Sequence, residues 1–436
     1  VSQMPTWNGQ QLAPRSLLLR VFAMPDGHGG WRVLPGGLTR VAGATQEIAS
    51  MQRGGSSADT WVLAGGPVDD GPAARAPVAA AVAPRQRAVT SRAAENLFWL
   101  GRYTERTENA ARLARVVLEV LHGEDRDAPP LVAWVGAMAT QHTLVRPGVP
   151  PASQSRRDFE RGLVAALGDT QQATSVGFHL AALRRSAAGV RERLSLEQWH
   201  LVERTEQEFR EGCAQLAAGG DVSTAQALRR LEQLSGRMAA ITGAQTDRMS
   251  RDDGWRLLSI GRHLERLGFL ASALSQGFAT GAVNLDSGFA ALLELCDGTL
   301  TYQALHPRQH DIPALLDLAV LDRDHPRSLG WVAQTLRGRL ARMGTGTGTS
   351  TTSTGTGTAP APASPAAAPL AADLAVRVPD PQAWDLATLA RADAQGQRPA
   401  LLSLMADCAD AAWRLSDDLG ARFFTHSETT RRSVGA

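Results

Sequence analysis

Lysine is absent from the chain. The sequence has 436 residues and 45 basic side chains, and every one of these is Arg. Schiff-base chemistry and a P-loop lysine are therefore excluded within this chain. Cysteine is scarce as well: Cys213, Cys296 and Cys408 stand far apart and form no CxxC or Cys/His cluster. We therefore expect neither a disulfide framework nor a metal site.

Long apolar runs and a strong net charge are also missing. No stretch approaches the ~20 apolar residues needed to cross a bilayer, and the first residues lack the pattern of a signal peptide. The formal net charge of +2 gives no general attraction to nucleic acid or to an anionic membrane. We expect a cytoplasmic protein that binds neither. Hydrophobic residues make up 43% of the chain, which suffices for the cores of two domains.

The first 64 residues have β character. Residues 16–24 and 31–37 are predicted strands joined by the turn-rich sequence PDGHGG, and residues 51–64 add a glycine-rich loop and a short apolar strand. Two or three strands cannot bury a core alone. This segment therefore needs a partner sheet, which the rest of the sequence does not offer.

Helical spacing of apolar residues dominates from residue 91 to about residue 343. The preceding residues 65–90 are rich in Pro and Ala, which is typical of a flexible linker. The predicted helices are 92–122, 156–167, 174–192, 195–218, 222–243, 253–278, 285–305 and 327–343. Ser91 is the expected N-cap of the first helix.

A low-complexity segment interrupts the helical pattern. Residues 344–369 consist only of Gly, Thr, Ser, Ala and Pro, a composition that predicts a disordered insert. Helical spacing returns within residues 370–436, most clearly at 381–424, and we expect these last helices to fold back on the same bundle. The sequence thus predicts a mainly α fold: an internally repeated helical bundle with a short β-rich N-terminal segment.

The repeat is visible in one hexapeptide. GRYTER, residues 101–106, returns 160 positions later as GRHLER, residues 261–266, with Gly, two Arg and Glu in register. On a helical wheel Arg102 and Arg106 lie inside the apolar arc and Glu105 lies at its edge, whereas the opposite, polar face carries Glu108, Arg112, Arg115 and Glu119. The second copy repeats this arrangement with Arg262, Arg266 and Glu265.

Inward-pointing arginines need partners, because a buried guanidinium cannot lose its charge. An intrahelical cluster of Arg102, Glu105 and Arg106 supplies one carboxylate for two cations. Three hypotheses follow: a buried Arg–Glu lattice that fixes helix register, an anion-binding cavity lined by the four arginines, or an enzyme that uses Glu105 and Glu265 as general acid and base.

A further polar cluster, LDRDHPRS, occupies residues 321–328. Asp297, Asp322 and Asp324 are candidates for the missing carboxylates, and helix capping is the alternative role of residues 322–328. The two tyrosines of the chain both lie in the polar motifs. The candidate anion- or substrate-binding residues are Arg102, Arg106, Arg262, Arg266, Tyr103, Tyr302, Asp322 and Arg327.

These motifs resemble the bacterial alpha-E domain, an all-helical family named for its Glu–Arg signature. Residues 91–113, SRAAENLFWLGRYTERTENAARL, are similar to its opening segment, and DDGWRLLSIGRHLERL at 252–267 is similar to its second. LLDLAVLDRDHPRSL at 315–329 resembles its Asp-x-x-Asn-Pro-Arg-Ser segment, except that His325 replaces the Asn. Near Tyr302, Gln303 stands where the family has Arg.

Residues 1–64 resemble the closing segments of a circularly permuted ATP-grasp domain. The resemblance implies that the sheet and most of the ATP and magnesium site belong to sequence upstream of Val1, so that the chain represents a truncated gene or begins at an alternative start codon. Arg20, Arg40 and Arg53 match positions that face phosphates in a complete domain. Because the domain is incomplete, we predict no cofactor and no ATP binding for this chain alone.

The two resemblances together imply an ATP-dependent carboxylate–amine ligation system for peptides. Within it, this chain is expected to be a non-catalytic module that binds an anionic peptide or small-molecule substrate, or a partner, for an ATP-grasp ligase. Transglutaminase-like proteins are further expected partners. An enzyme of amide chemistry with Glu105 and Glu265 in an Arg-lined cavity, and a pure scaffold, remain the alternatives.

Overall fold

The computed structural model describes residues 3–7, 11–25, 30–34, 36–42, 56–60, 89–171, 174–218, 223–307, 310–343 and 371–424. The predicted linker, apart from residues 89 and 90, and the predicted insert 344–369 lie outside these residues. The chain divides into two units, Val1–Arg85 and Gln86–Ala436.

The N-terminal unit contains two small antiparallel sheets. Four strands form the first sheet in the order β1-β2-β5-β6, and β3 pairs with β4 in the second. The strands are β1 (Gln3–Trp7), β2 (Leu12–Leu19), β3 (Ala23–Pro25), β4 (Trp31–Val33), β5 (Gly37–Val41) and β6 (Ser56–Thr60). Predicted strand 16–24 is therefore divided between β2 and β3.

Many large apolar side chains of this unit are exposed. Trp7, Leu18, Phe22 and Trp31 are each more than half exposed. Arg20 and Arg40, the predicted phosphate-facing residues, are also exposed, and Arg53 lies outside the described residues. The described strands therefore bury little core of their own, as expected for so few strands.

The second unit is helical. Its helices are α1 (Ser91–His122), α2 (Pro129–Gln141), α3 (Arg156–Ala166), α4 (Val176–Ala188), α5 (Leu196–Ala218), α6 (Thr224–Asp247), α7 (Asp253–Ala279), α8 (Asp286–Leu295), α9 (Thr299–Leu305), α10 (Ile312–Leu316), α11 (Leu329–Ala341), α12 (Ala372–Ala375), α13 (Leu386–Ala390) and α14 (Pro399–Phe423). The prediction of a mainly helical protein is confirmed. The N-cap of α1 is Thr90, one residue before the expected Ser91; its Oγ1 accepts a hydrogen bond from the Ala93 amide at 3.3 Å.

Two of the differences from the sequence prediction concern α2 and the pair α8 and α9. Helix α2 was not predicted, because it begins with two prolines and is apolar on most sides, so that no helical periodicity marks it. The predicted helix 285–305 is broken into α8 and α9 at Asp297, whose φ of 54° lies in the left-handed region.

Helices α1 and α7, which carry the two hexapeptides, pack against each other at the centre of the unit. Two glycines make this approach possible: a Cβ atom at Gly101 would clash with the Leu258 carbonyl, and one at Gly261 would clash with the Phe98 carbonyl. These two contacts are related by the same 160-residue offset as the hexapeptides. Around this pair, α2, α4, α6 and α8 pack on α1, while α2, α8, α11 and α14 pack on α7.

Candidate anion-binding pocket beside a crossed arginine–glutamate network

The arginines of each hexapeptide pair with the glutamate of the other copy. Arg102 and Arg106 on α1 contact Glu265 on α7, and Arg266 on α7 contacts Glu105 on α1. Each glutamate thus pairs with arginines of the other helix rather than with those of its own hexapeptide. The close glycine contact brings the helix backbones together, so each side chain reaches its partner across the interface more readily than along its own helix.

Glu105 is completely buried and surrounded by guanidinium groups. Arg266 binds it through two hydrogen bonds, Nε to Oε1 at 2.7 Å and Nη2 to Oε2 at 2.8 Å. Arg262 Nε and Arg327 Nη2 approach the carboxylate at 3.7 and 3.4 Å. Burial raises the pKa of Glu105, but the charges of Arg266, Arg327 and Arg262 outweigh burial and hold this pKa well below its usual range. Glu105 is therefore an ionised structural carboxylate.

Arg327 supplies the third cation from the segment that precedes α11. Its guanidinium donates to Glu108, and its Nη1 donates to Asn109 Oδ1 at 3.1 Å. The helical wheel places Glu108 on the polar outer face of α1, but Arg327 contacts it there. Glu108 therefore supplies the additional carboxylate for which Asp297, Asp322 and Asp324 are the sequence candidates. We call Glu105, Glu108, Arg262, Arg266 and Arg327 the closed half.

Glu265 binds two arginines and lies nearer to solvent. Arg106 Nε is 2.7 Å from Glu265 Oε1, and Arg102 contacts the same oxygen while also donating to Ser416 Oγ on α14. Burial raises the pKa of Glu265, whereas Arg102 and Arg106 lower it, with a net decrease. The Arg106 side chain is 25% exposed and lies over the Tyr103 ring, 5.7 Å from its centroid.

A cavity of about 320 Å³ opens beside Arg106 and Glu265. The volume falls in the range of small-molecule sites. The cavity reaches Glu265 but is not lined by Glu105. We call Glu265, Arg102, Arg106 and this cavity the open half. Its lining residues come from α1, α2, α4, α7, α14 and adjacent turns: Arg102, Arg106, Asn109, Ala110, Gln141, His142, Thr143, Thr174, His179, Leu264, Glu265, Gly268, Phe269, Ser272, Ala409, Ala412 and Trp413.

Two histidines distinguish the cavity wall: His179 is buried and His142 is partly buried. Burial, together with the positive charge of Arg106, lowers the pKa of His142 to about 4 and that of His179 to about 3, although Glu265 partly opposes this. Both rings are therefore neutral at pH 7. His142 Nε2 and His179 Nδ1 are buried and have no hydrogen-bond partner among the described residues.

The rim of the cavity has two further unusual residues. Thr143 has a φ of 52°, which is strained for a β-branched residue. Its hydroxyl contacts Thr174, whose carbonyl accepts a hydrogen bond from it at 3.1 Å. Trp413, on α14, is 64% exposed although it lines the cavity. Strained backbone and exposed aromatic rings both occur frequently at binding sites.

Other candidate residues lie outside the open half. Tyr302 is 3% exposed, and its hydroxyl exchanges hydrogen bonds with the backbone of Asp311. Asp322 Oδ1 accepts from the amides of Asp324 and His325, the arrangement of a turn cap. Asp297 pairs with Arg112 at 3.0 Å.

His142, His179 and Trp413 were missed by sequence reasoning. A single histidine or tryptophan without ligand spacing carries no signal in one sequence. The repeat did carry a signal, because the positions equivalent to Glu108 and Asn109 are Gly268 and Phe269. Gly268 and Phe269 provide no carboxylate or amide at these positions, and both line the cavity.

Several alternative chemistries receive no support from the described residues. Burial raises the pKa of each of Cys213, Cys296 and Cys408 to about 12, which makes them poor nucleophiles. Within the described part of the chain, no group of three or more His, Cys, Asp or Glu side chains is placed to hold a metal ion. The described helices also include none whose length and apolarity would carry it through a bilayer.

A family model and several relatives match the helical part of the chain. The model of the Alpha-E family, described as a predicted alpha-helical domain with a conserved ER motif, matches residues 89–424. Uncharacterized proteins of Mycobacterium tuberculosis and Mycobacterium bovis are each 28% identical over 267 residues, which cover 57% of this chain and 29% of each relative. An uncharacterized protein of Mycobacterium leprae is 52% identical over 65 residues, 15% of this chain and 11% of that protein.

The chain thus matches less than a third of the length of these relatives, and no solved structure matches it. The family match extends over the two crossed hexapeptides, the Arg327 segment and α14. Because the match covers most of the chain, the chain belongs to the Alpha-E family.

Proposed function

We propose that the helical unit is a binding module that recognises an anionic group of its substrate in the open half. The observation that carries this proposal is the partly exposed Arg106 at a cavity with an excess of positive charge. Among the described lining residues, two guanidinium groups face one carboxylate, and both histidines are neutral. Burial strengthens the attraction of such an excess charge for an anion.

The geometry favours binding over acid–base catalysis. Glu105 is fully buried and outside the cavity lining, so a bound ligand does not contact it. The pKa of Glu265 is lowered by Arg102 and Arg106, which makes this carboxylate a weak base and leaves it without a proton to donate. The closed half fits the scaffold alternative, because its two carboxylates and three guanidinium groups contact each other and none of them lines the cavity.

We further propose that the module serves an ATP-dependent carboxylate–amine ligase for peptides. The described N-terminal strands expose apolar side chains that a partner sheet would cover. This exposure fits the resemblance to the end of an ATP-grasp domain. On this proposal, ATP and magnesium bind to a complete ATP-grasp domain or subunit, and transglutaminase-like proteins are associated partners. The isolated chain is expected not to bind ATP, which equilibrium dialysis would test.

The anion site is tested with Arg106→Gln. The probe is an acetylated peptide with a free C-terminal carboxylate, compared with the same peptide as its C-terminal amide. Loss of the exposed guanidinium is expected to weaken binding of the carboxylate peptide at least tenfold, because a hydrogen-bonded charge pair is lost. Isothermal titration calorimetry measures both peptides.

Arg237→Gln is the matched control, because Arg237 pairs with Glu208 on the surface, away from the cavity. It is expected to bind as the unmodified protein does. Equal affinity of the unmodified protein and the Arg106→Gln variant, or no preference for carboxylate over amide, would contradict the proposal.

A further inference from the structure

The cavity of the open half is larger than an anionic group alone requires. Its volume of about 320 Å³ corresponds to about ten water molecules in the liquid, whereas a carboxylate group fills only a small part of that space. Arg102, Arg106 and Glu265 supply the charges of the lining. A ligand that fills the cavity therefore carries more than its anionic group.

Helix α14 supplies an apolar wall of this cavity. Ala409, Ala412 and Trp413 line it, and Ser416 on the next turn accepts a hydrogen bond from Arg102. These positions recur at spacings of i+3 and i+4, so they share one face of the helix. The face that contacts Arg102 thus also borders the cavity.

Short side chains keep the cavity open close to Arg106. Ala110 lies one helical turn after Arg106 on α1 and also lines the cavity. On α7, a Cβ atom at Gly268 would lie 3.5 Å from the Cβ of Ala412. The apolar part of the lining therefore begins one turn from the partly exposed guanidinium, at residues too small to fill the space themselves.

Trp413 differs from the other tryptophans of the helical unit. It is 64% exposed, whereas the others that the structure describes in this unit are buried or half-buried. An indole ring is a large and rigid apolar surface, because only two side-chain torsions must be fixed when it makes a contact. A ligand that covers this ring removes apolar surface from water, which stabilises the complex.

We propose that the ligand of the open half is a carboxylate that bears an aromatic or large aliphatic group. This inference rests on the proposed function and names the class of ligand. The carboxylate lies at Arg106, and the apolar group lies on the short side chains of α1, α7 and α14 with one side against Trp413. A peptide with a large apolar C-terminal residue and a free apolar acid both have this chemistry.

Three probes separate charge from apolar contact on the unmodified protein: 3-phenylpropanoate, propanoate, which lacks the ring, and 3-phenylpropanamide, which lacks the charge. Phenylpropanoate is expected to bind about ten- to hundredfold more tightly than propanoate, because its ring leaves water. It is expected to bind at least about tenfold more tightly than the amide, which forms no ion pair with Arg106. NMR titration measures weak affinities of this kind.

Trp413→Ala tests the apolar contact. This variant is expected to lose most of the preference for phenylpropanoate over propanoate, whereas Trp413→Phe, which keeps an aromatic ring, is expected to retain it. Leu300→Ala is the matched control, because Leu300 is 83% exposed and does not line the cavity. It is expected to bind the three probes as the unmodified protein does.

The outcomes separate the two proposals. Failure of both carboxylates to bind, or equal binding of them by Arg106→Gln, overturns the proposed function. Arg106-dependent binding of phenylpropanoate and propanoate with equal affinity overturns the apolar group alone, and so does a preference that persists in Trp413→Ala. A preference that Trp413→Ala removes supports both. Acetylalanylphenylalanine then identifies the source, because a site for peptides binds it more tightly than phenylpropanoate.

Discussion

The closed half and the open half are built from the same hexapeptide but differ in what completes them. Around Glu105, the chain itself adds Arg327, which binds Glu108 and Asn109. Around Glu265, the equivalent positions are Gly268 and Phe269, and a cavity occupies the space. One hexapeptide glutamate is thus enclosed by groups of the chain, whereas the other borders a cavity.

This difference assigns separate roles to identical motifs. An ion network that is fully enclosed fixes the register of two helices, and removal of one partner is costly. On the proposed function, the same network at a cavity wall holds an arginine in place for recognition. The Glu–Arg signature by itself then does not distinguish the enclosed site from the one at the cavity; the residues three and four positions later do.

The largest expected effect is on the closed half. Glu105→Gln leaves Arg262, Arg266 and Arg327 without their shared carboxylate in a buried site, and we expect a loss of about 3–5 kcal/mol in the free energy of unfolding. Glu265→Gln is the matched variant, and it is expected to cost less, about 1–3 kcal/mol, because Arg106 reaches solvent. Urea denaturation measures both. Equal losses would remove the distinction between the halves.

Acid is expected to act through three histidines, two of which line the cavity of the open half. The folded-state pKa values of His142 and His179, about 4 and about 3, lie below the ordinary 6.5, so the unfolded state takes up protons first as the pH falls. Stability is therefore retained above pH 6.5 and declines below it, by about 2 kcal/mol per histidine at pH 5. His263, packed on Trp331 beside α11, has a pKa lowered to about 3, chiefly by burial, and adds a third such contribution.

His179→Phe is expected to reduce the stability difference between pH 7 and pH 5 by about 2 kcal/mol. Chemical denaturation at the two pH values provides the measurement. This window lies above the ordinary carboxylate pKa, so Glu105 and Glu265, whose pKa values are lowered, contribute little to it. A pH dependence that is unchanged by the substitution would show that His179 is not buried in its neutral form.

The smallest expected effect comes from closing the open half. Gly268→Glu restores the carboxylate found at Glu108 in the other half, and its side chain is expected to pair with Arg106 and occupy the cavity. Binding of the acetylated peptide with a free C-terminal carboxylate should fall about tenfold, equivalent to about 1.4 kcal/mol, with little change in unfolding free energy.

Gly268→Ala is the control for this change, because its Cβ would lie 3.5 Å from Ala412 Cβ, an ordinary contact. It is expected to keep binding and to raise stability by up to about 1 kcal/mol. NMR titration and thermal denaturation check the pair. Full binding by Gly268→Glu would place the ligand elsewhere.

The sequence was sufficient to predict the helical bundle, the repeat and the inward orientation of the four arginines. A helical wheel gives the direction of a side chain but not the helix that it meets, so the crossing of Arg102 to Glu265 was not predictable. For the same reason Glu108 was assigned to solvent. The cavity depends on α2, α4 and α14, and their positions relative to α1 follow from packing across the whole unit.

The glycine contact between the two hexapeptides has a consequence for how the copies change over time. Each carboxylate is neutralised by arginines encoded in the other copy, and each backbone approach depends on a residue without a side chain in each copy. Neither repeat is therefore free to diverge, or to be expressed as a separate fragment, without leaving charge unpaired in its twin.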